Sequence, residues 1–175
     1  MSRNPDLTNR VLGETPGTLR LQDLAAVRAA SDLMAAQAAR ELRIFSRDLD
    51  AAVYDHEGFL ESVRRLALRS QHSTVEILLF DAERAVHEGH RLIALTRQLP
   101  SRIQIRRIPA EFHRRLVAYL IADDEGYLLR PLAEAFEGRT DFSAPMQVRH
   151  LRSEFDHIWE RSTQPLDLIT FGRGL

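Results

Sequence analysis

The chain has 175 residues, 24 basic against 25 acidic, for a net charge of −1, and is 44% hydrophobic. That is the balance of an ordinary globular domain, with no global pull toward nucleic acid or an acidic membrane. Every basic residue is arginine and there is no cysteine, which excludes Schiff-base, P-loop-lysine and thiol chemistry, disulfides, and Cys-ligated zinc or iron–sulfur centres.

The arginine-only usage reads as the coding bias of a GC-rich genome. The apolar runs fall far short of the roughly 20 residues that cross a bilayer. Met1–Leu12 carries no apolar segment of a secretory signal, so a cytoplasmic protein is expected.

Residues 1–17, with Asn4, Pro5, Gly13, Pro16 and Gly17 and no apolar period, read as a flexible leader. An alanine-rich helix follows over 18–40, with Thr18 as N-cap and Leu24, Val27, Ser31, Met34 and Ala38 on one stripe. Because it precedes the first strand, it reads as an added arm that packs on a neighbour. The remaining residues, 41–175, read as one α/β domain.

Leu42–Ser46 predicts a short strand, and Phe59, Leu60, Val63, Leu66 and Ala67 an amphipathic helix. Val75–Phe80 is a nearly unbroken apolar run, the pattern of a central strand covered on both faces. Asp81 then caps a helix that runs to Leu99, with Ala85, Gly89, Leu92, Thr96 and Leu99 inward and Pro100 as its stop. Ile103 and Ile105 alternate with Gln104 and Arg106 in a half-exposed strand near an edge.

Leu116–Ala122 predicts a second fully apolar strand. Asp123-Asp124-Glu125-Gly126 is a turn with Gly126 as the permissive residue, and Tyr127–Leu129 is the returning arm. After a polar loop, Pro145 opens a last helix whose stripe is Val148, Leu151, Arg152, Phe155, Ile158 and Trp159. Leu166, Leu168 and Phe171 are expected to tuck the tail against the body. This order predicts a three-layer α/β domain with a mixed sheet.

Over Glu41–Ser162 the chain resembles the phospholipase D-like fold. In that superfamily a β-α-β-α-β unit leads to a strand carrying His-x-Lys-x4-Asp, then a hairpin, a Gly-Ser-x-Asn segment and a helix. Leu120–Gly126 resembles the end of the signature strand and its turn, and Phe155–Ser162 the closing helix. Tyr54-Asp55 with Phe59-Leu60, and Glu88-Gly89-His90-Arg91-Leu92, are similar to an uncharacterised bacterial domain found alone or behind GNAT-type acetyltransferase domains. That association implies an accessory role, and pairing of such domains implies self-association, with the alanine-rich helix as the contact.

Aligned on Asp123, the signature histidine position is Leu116 and the lysine position is Ala118; aligned on His113, the lysine position is Arg115 and the aspartate position is Leu120. Neither register keeps the triad, and Arg130-Pro131-Leu132 stands where Gly-Ser-x-Asn would begin. Phospholipase D chemistry needs a histidine nucleophile and a second histidine as general acid, from two copies of the motif. The resemblance with these departures implies a degenerate, non-catalytic member that binds a protein partner or a small anionic ligand. A phosphodiesterase or nuclease with a displaced site at His113 or His90 is the rival.

In an open α/β sheet ligands gather beyond the carboxyl ends of the strands. This places Arg47 and Asp48 beside Asp81 and Arg84, where an anion would sit between the arginines and the amides opening the next helix. His87 and His90, three apart, are counted with this ligand site; zinc would need a third ligand, for which Asp81 is a candidate two turns away, and no metal or cofactor is expected. Arg102, Arg106, Arg107, Arg114 and Arg115 form a basic stretch with few aromatics, which makes a nucleic-acid module a third reading and a solvated edge the simpler one. Asp123-Asp124-Glu125 lacks the ligand count of a calcium loop.

Overall fold

The computed structural model describes residues 5–162. Its elements are β1 (Leu19–Leu21), α1 (Leu24–Gln37), β2 (Glu41–Ser46), α2 (Ala51–Tyr54), α3 (Glu57–Arg69), β3 (Thr74–Leu79), α4 (Ala82–His87), α5 (Arg91–Gln98) and β4 (Ile103–Arg107). A 3₁₀ turn (Ala110–Phe112), β5 (Ala118–Ala122), β6 (Gly126–Arg130), β7 (Gly138–Asp141) and α6 (Pro145–Arg161) complete the order. The strands form one seven-stranded mixed sheet, β1-β7-β6-β5-β2-β3-β4. β2, β3 and β4 are parallel, while β5, β6, β7 and β1 add on antiparallel.

Alternation along the strands makes two cores. Leu42, Ile44, Val75, Ile77, Ile103, Ile105, Leu120 and Leu128 face α1, α3 and α5. Phe45, Leu78, Tyr119, Ile121, Tyr127 and Leu129 face α6. The expected three-layer mixed-sheet architecture is therefore the one observed. Under α6 the aromatics form a column: Phe45 stacks on Tyr119 at 5.0 Å, Tyr119 meets Phe155 at 6.5 Å, and Phe155 lies on Trp159 at 5.8 Å. Such pairs each contribute about 0.5–1.5 kcal/mol beyond their burial.

The sheet has two strands more than expected. Leu19–Leu21 pairs with β7, and Gly138–Asp141, read as part of a polar loop, pairs with both β6 and β1. Gly138 is required there by close approach, because a Cβ would lie 2.3 Å from the Leu129 carbonyl oxygen. The first helix consequently starts later, at Leu24. Asp23, not Thr18, is its N-cap, accepting from Ala26 N at 2.8 Å. Nor is this helix a free arm: Ala26, Val27, Ala30, Met34 and Ala35 are buried in the chain's own core.

Residues 5–17 lie against the body rather than trailing from it. Leu12 N donates to Gln37 Oε1 (2.6 Å), Gln37 Nε2 donates to Arg10 O (2.8 Å), and Gly13 N donates to Phe142 O (2.7 Å). The helix expected from Asp81 to Leu99 is two helices. Gly89, at φ 70°, ends α4, and His90 caps α5. The hairpin turn places Asp123 and Asp124, at φ 54° and 58°, in the left-handed region, with Glu125 N donating to Ala122 O at 3.0 Å. This is the geometry of a type I′ turn, which suits aspartate, so Gly126 is not the permissive residue. Leu166, Leu168 and Phe171 lie outside the described residues.

Candidate functional site

The carboxyl ends of β2 and β3 open into a cleft of about 620 Å³. The residue leaving β2, Arg47, and those leaving β3, Phe80 and Asp81, line it. The segment entering β5 supplies His113, Arg115 and Leu116, and the segment leaving β6 supplies Leu132 to Ala135. The volume lies in the range of small-molecule sites. The lining combines two guanidinium groups with exposed apolar side chains, Leu116 at 61% and Leu132 at 54% exposure.

The expected site is thus partly assembled and displaced. Arg47 and Asp81 line the cleft, whereas Asp48, Arg84, His87 and His90 do not. Arg84 is engaged with Asp48 (3.3 Å) and Glu88 (3.0 Å), and these carboxylates raise its pKa, Glu88 first through its hydrogen bond. Asp81 Oδ1 accepts from Arg84 N at 3.0 Å. Its carboxylate already occupies the start of α4, so the expected anion on those amides is withdrawn. An incoming anion would meet a carboxylate, and α4 is a helix of only six residues.

His87 is exposed. His90 is buried and structural: Nε2 donates to Leu49 O at 3.1 Å and Nδ1 accepts from Leu92 N at 3.1 Å. Both ring nitrogens are used in the neutral form, and burial lowers its pKa below the ordinary value. His90 is therefore no candidate for a displaced catalytic site. Among the described residues no group of three side chains is arranged to hold a metal ion.

The basic stretch does not form one surface. Arg102 donates to Ser70 O, Arg107 pairs with Glu83, and Arg115 pairs with Glu154 at 2.5 Å. Arg106 donates to Trp159 O at 2.9 Å while its guanidinium lies 4.2 Å from the Trp159 ring centroid. Arg114 is exposed.

The cleft walls are fixed by groups that the sequence did not single out. Arg130 is 2% exposed; its Nη1 binds Asp50 Oδ2 at 2.5 Å, Nε donates to Ala135 O at 2.9 Å, and Nη2 donates to Ala133 O. Burial raises the Asp50 pKa, Arg130 opposes it, and Asp48 adds to it. Ala118 is the cross-strand partner of Arg130, so their side chains share one face. The alanine at the lysine position of the signature leaves room for the arginine beside it.

Leu116, at the histidine position of the signature, opens onto the cleft. Its carbonyl accepts from Ala133 N at 2.7 Å. Asp123, at the aspartate position, accepts from Ala39 N (2.7 Å), Arg40 N (2.7 Å) and Glu41 N (2.9 Å), far from the cleft lining. His113 lies in the cleft with Nε2 donating to Ile108 O at 3.0 Å and its ring edge-to-face with Phe80.

The fold is that of the phospholipase D family. Nuc from Salmonella typhimurium, a phospholipase D family member, superposes with a TM-score of 0.61 at 12% identity, covering 85% of this chain and 97% of that one. NucT from Helicobacter pylori gives 0.58 at 11%, covering 85% and 98%. TrmBL2, an archaeal chromatin protein with a novel mode of DNA binding, gives 0.59 at 14%; the match covers 83% of this chain and about half, 53%, of TrmBL2. At these identities the likeness is one of fold. In sequence, the chain belongs to the family described as Domain of unknown function (DUF7931), which matches residues 23–171. No curated protein matches it in sequence.

Proposed function

We propose that this domain is a non-catalytic binding module. Its cleft takes a small amphipathic oxyanion, a phosphate or carboxylate carrying an apolar group. The observation that carries the reading is the convergence of Arg47 and Arg115 with Leu116 and Leu132 in one cleft. Arg47 pairs with Glu134 across the mouth, and both are more than half exposed. Such pairs are worth about 0–1 kcal/mol, so a ligand oxyanion can replace Glu134 with little loss.

The residues at the signature positions support binding over turnover. A leucine and a buried alanine stand where attack on phosphorus and charge neutralisation would need histidine and a cation. His113 Nε2 is committed to a backbone carbonyl.

The test is thermal shift and calorimetry with octyl phosphate and octanoate, against inorganic phosphate and acetate. Saturable binding of the octyl compounds, lost in Arg47→Ala and weakened in Arg115→Ala, is expected. No binding by any of them would overturn the reading. Hydrolysis of bis(4-nitrophenyl) phosphate that disappears in His113→Ala would replace it with the phosphodiesterase reading.

A further inference from the structure

The cleft does not end at Leu132. A second groove of about 290 Å³ shares Leu132 and Ala135 with it and runs to the sheet edge, where Arg20 and Arg139 line it. These two arginines face one another across the β1–β7 pair, in register. Both are exposed, and neither forms an ion pair or hydrogen bond through its side chain among the described residues. Glu137 lines the same groove without pairing to either.

Like charges placed directly opposite on neighbouring strands repel, and here the two cations outnumber the one acid beside them. Two guanidinium forks side by side present donors in the arrangement that grips a phosphate or carboxylate. Between this pair and the Arg47–Arg115 end, the shared floor is Leu132 and Ala135, without a cation.

We propose that Arg20 and Arg139 form a second oxyanion subsite, so that the ligand is elongated, with an anionic group at each end and an apolar middle. This rests on the reading of the cleft given above and adds the ligand's second charge. A single-stranded nucleic acid fits less well. Its phosphates are closely and evenly spaced, it needs exposed rings for stacking, and the rings lining the grooves among the described residues, Phe80 and His113, pack edge-to-face on each other, Phe80 also against Phe45.

The experiment titrates the full chain with alkane-α,ω-bisphosphates of increasing length and with monoalkyl phosphates of the same lengths. At one length the bisphosphate is expected to bind at least about tenfold tighter than its monophosphate. Arg20→Ala and Arg139→Ala should each abolish that gain while monoalkyl phosphate binding persists. Both positions are exposed, and circular dichroism confirms folding of the variants.

Equal affinity of the two series at every length overturns the second subsite. So does a gain that survives in the Arg20→Ala/Arg139→Ala double variant, or tighter binding of oligothymidylate than of any bisphosphate. If monoalkyl phosphate binding is still lost in Arg47→Ala, the cleft reading stands in those cases. Absence of all alkyl phosphate binding overturns both.

Discussion

Arg130 and Asp50, eighty residues apart, form an ion pair 2.5 Å long, the arginine buried and the aspartate partly so, that ties the segment after β2 to the end of β6. The same guanidinium binds the carbonyls of Ala133 and Ala135, so one side chain holds the wall of the cleft. Arg130→Met leaves the partly buried Asp50 without its partner, and a cost of up to about 3–5 kcal/mol is expected in urea titration. Asp50→Leu in the same chain should return much of that stability but not the alkyl phosphate binding, since the carbonyls stay untethered.

The pH dependence of that variant has a definite sign. The pKa of Asp50 is raised, burial being the first cause and Arg130 the opposing one. A raised carboxyl favours the protonated native state, so its penalty is absent below the ordinary value of 3.8 and complete above the folded value. Removing Arg130 widens this window upward. The stability deficit of Arg130→Met should therefore shrink as the pH is lowered toward 4; a deficit constant with pH would argue against an ionised Asp50.

Asp123 is a clamp between the β5–β6 turn and the start of β2. Its carboxylate accepts three backbone N–H groups from residues over eighty positions away, at a φ of 54°. Asp123→Ala strands all three donors and puts alanine in the left-handed region; a loss of at least about 3 kcal/mol is expected. Asp123→Asn keeps the backbone geometry and one acceptor, and should cost roughly half as much. Equal losses in the two variants would show that neither the left-handed backbone nor the acceptor kept by asparagine matters, and that the charge of the carboxylate sets the effect.

His90 predicts an acid-side loss of stability. Its pKa is lowered, by burial first, from the ordinary 6.5. The unfolded chain therefore takes up the proton before the native chain does. Stability is complete above pH 6.5, falls as the pH drops from 6.5 to the folded value, and then levels, with a slope of at most about 1.4 kcal/mol per pH unit. His90→Asn can still cap Leu92 but is too short for Leu49 O. It should cost about 1–2 kcal/mol at pH 8 and less at pH 5. Urea midpoints of both proteins at the two pH values measure this.

Restoring the signature residues should not restore turnover. Leu116→His replaces an exposed side chain and is expected to fold within about 0.5 kcal/mol of the parent, with no hydrolysis of bis(4-nitrophenyl) phosphate above background. Ala118→Lys forces a long cation into a site 3% exposed and adjacent to Arg130, which should destabilise by more than about 1–3 kcal/mol. Activity in Leu116→His alone would show that the cleft retains the rest of a catalytic site.

The amino-acid sequence by itself determined what short-range physics controls. The apolar runs of β2 and β3, the alternation of β4, the stripes of α3 and α6, the Asp81 cap and the Pro145 start are all legible from neighbouring residues. Together they specify a three-layer α/β sheet. Only the tertiary structure decided the rest. β1 and β7 have three and four residues, too few for a period, and exist because each supplies the other's ladder across more than a hundred positions. The break at Gly89 depends on His90 finding the Leu49 carbonyl. Leu116 reads as an apolar strand residue, yet lies at the cleft because β5 begins at Ala118. Arg130, noted in the sequence only as standing where Gly-Ser-x-Asn would begin, is buried, since Asp50 and two carbonyls satisfy its donors there. The cleft is therefore a product of long-range pairing, and pairing energies between distant segments leave no periodic mark on either one.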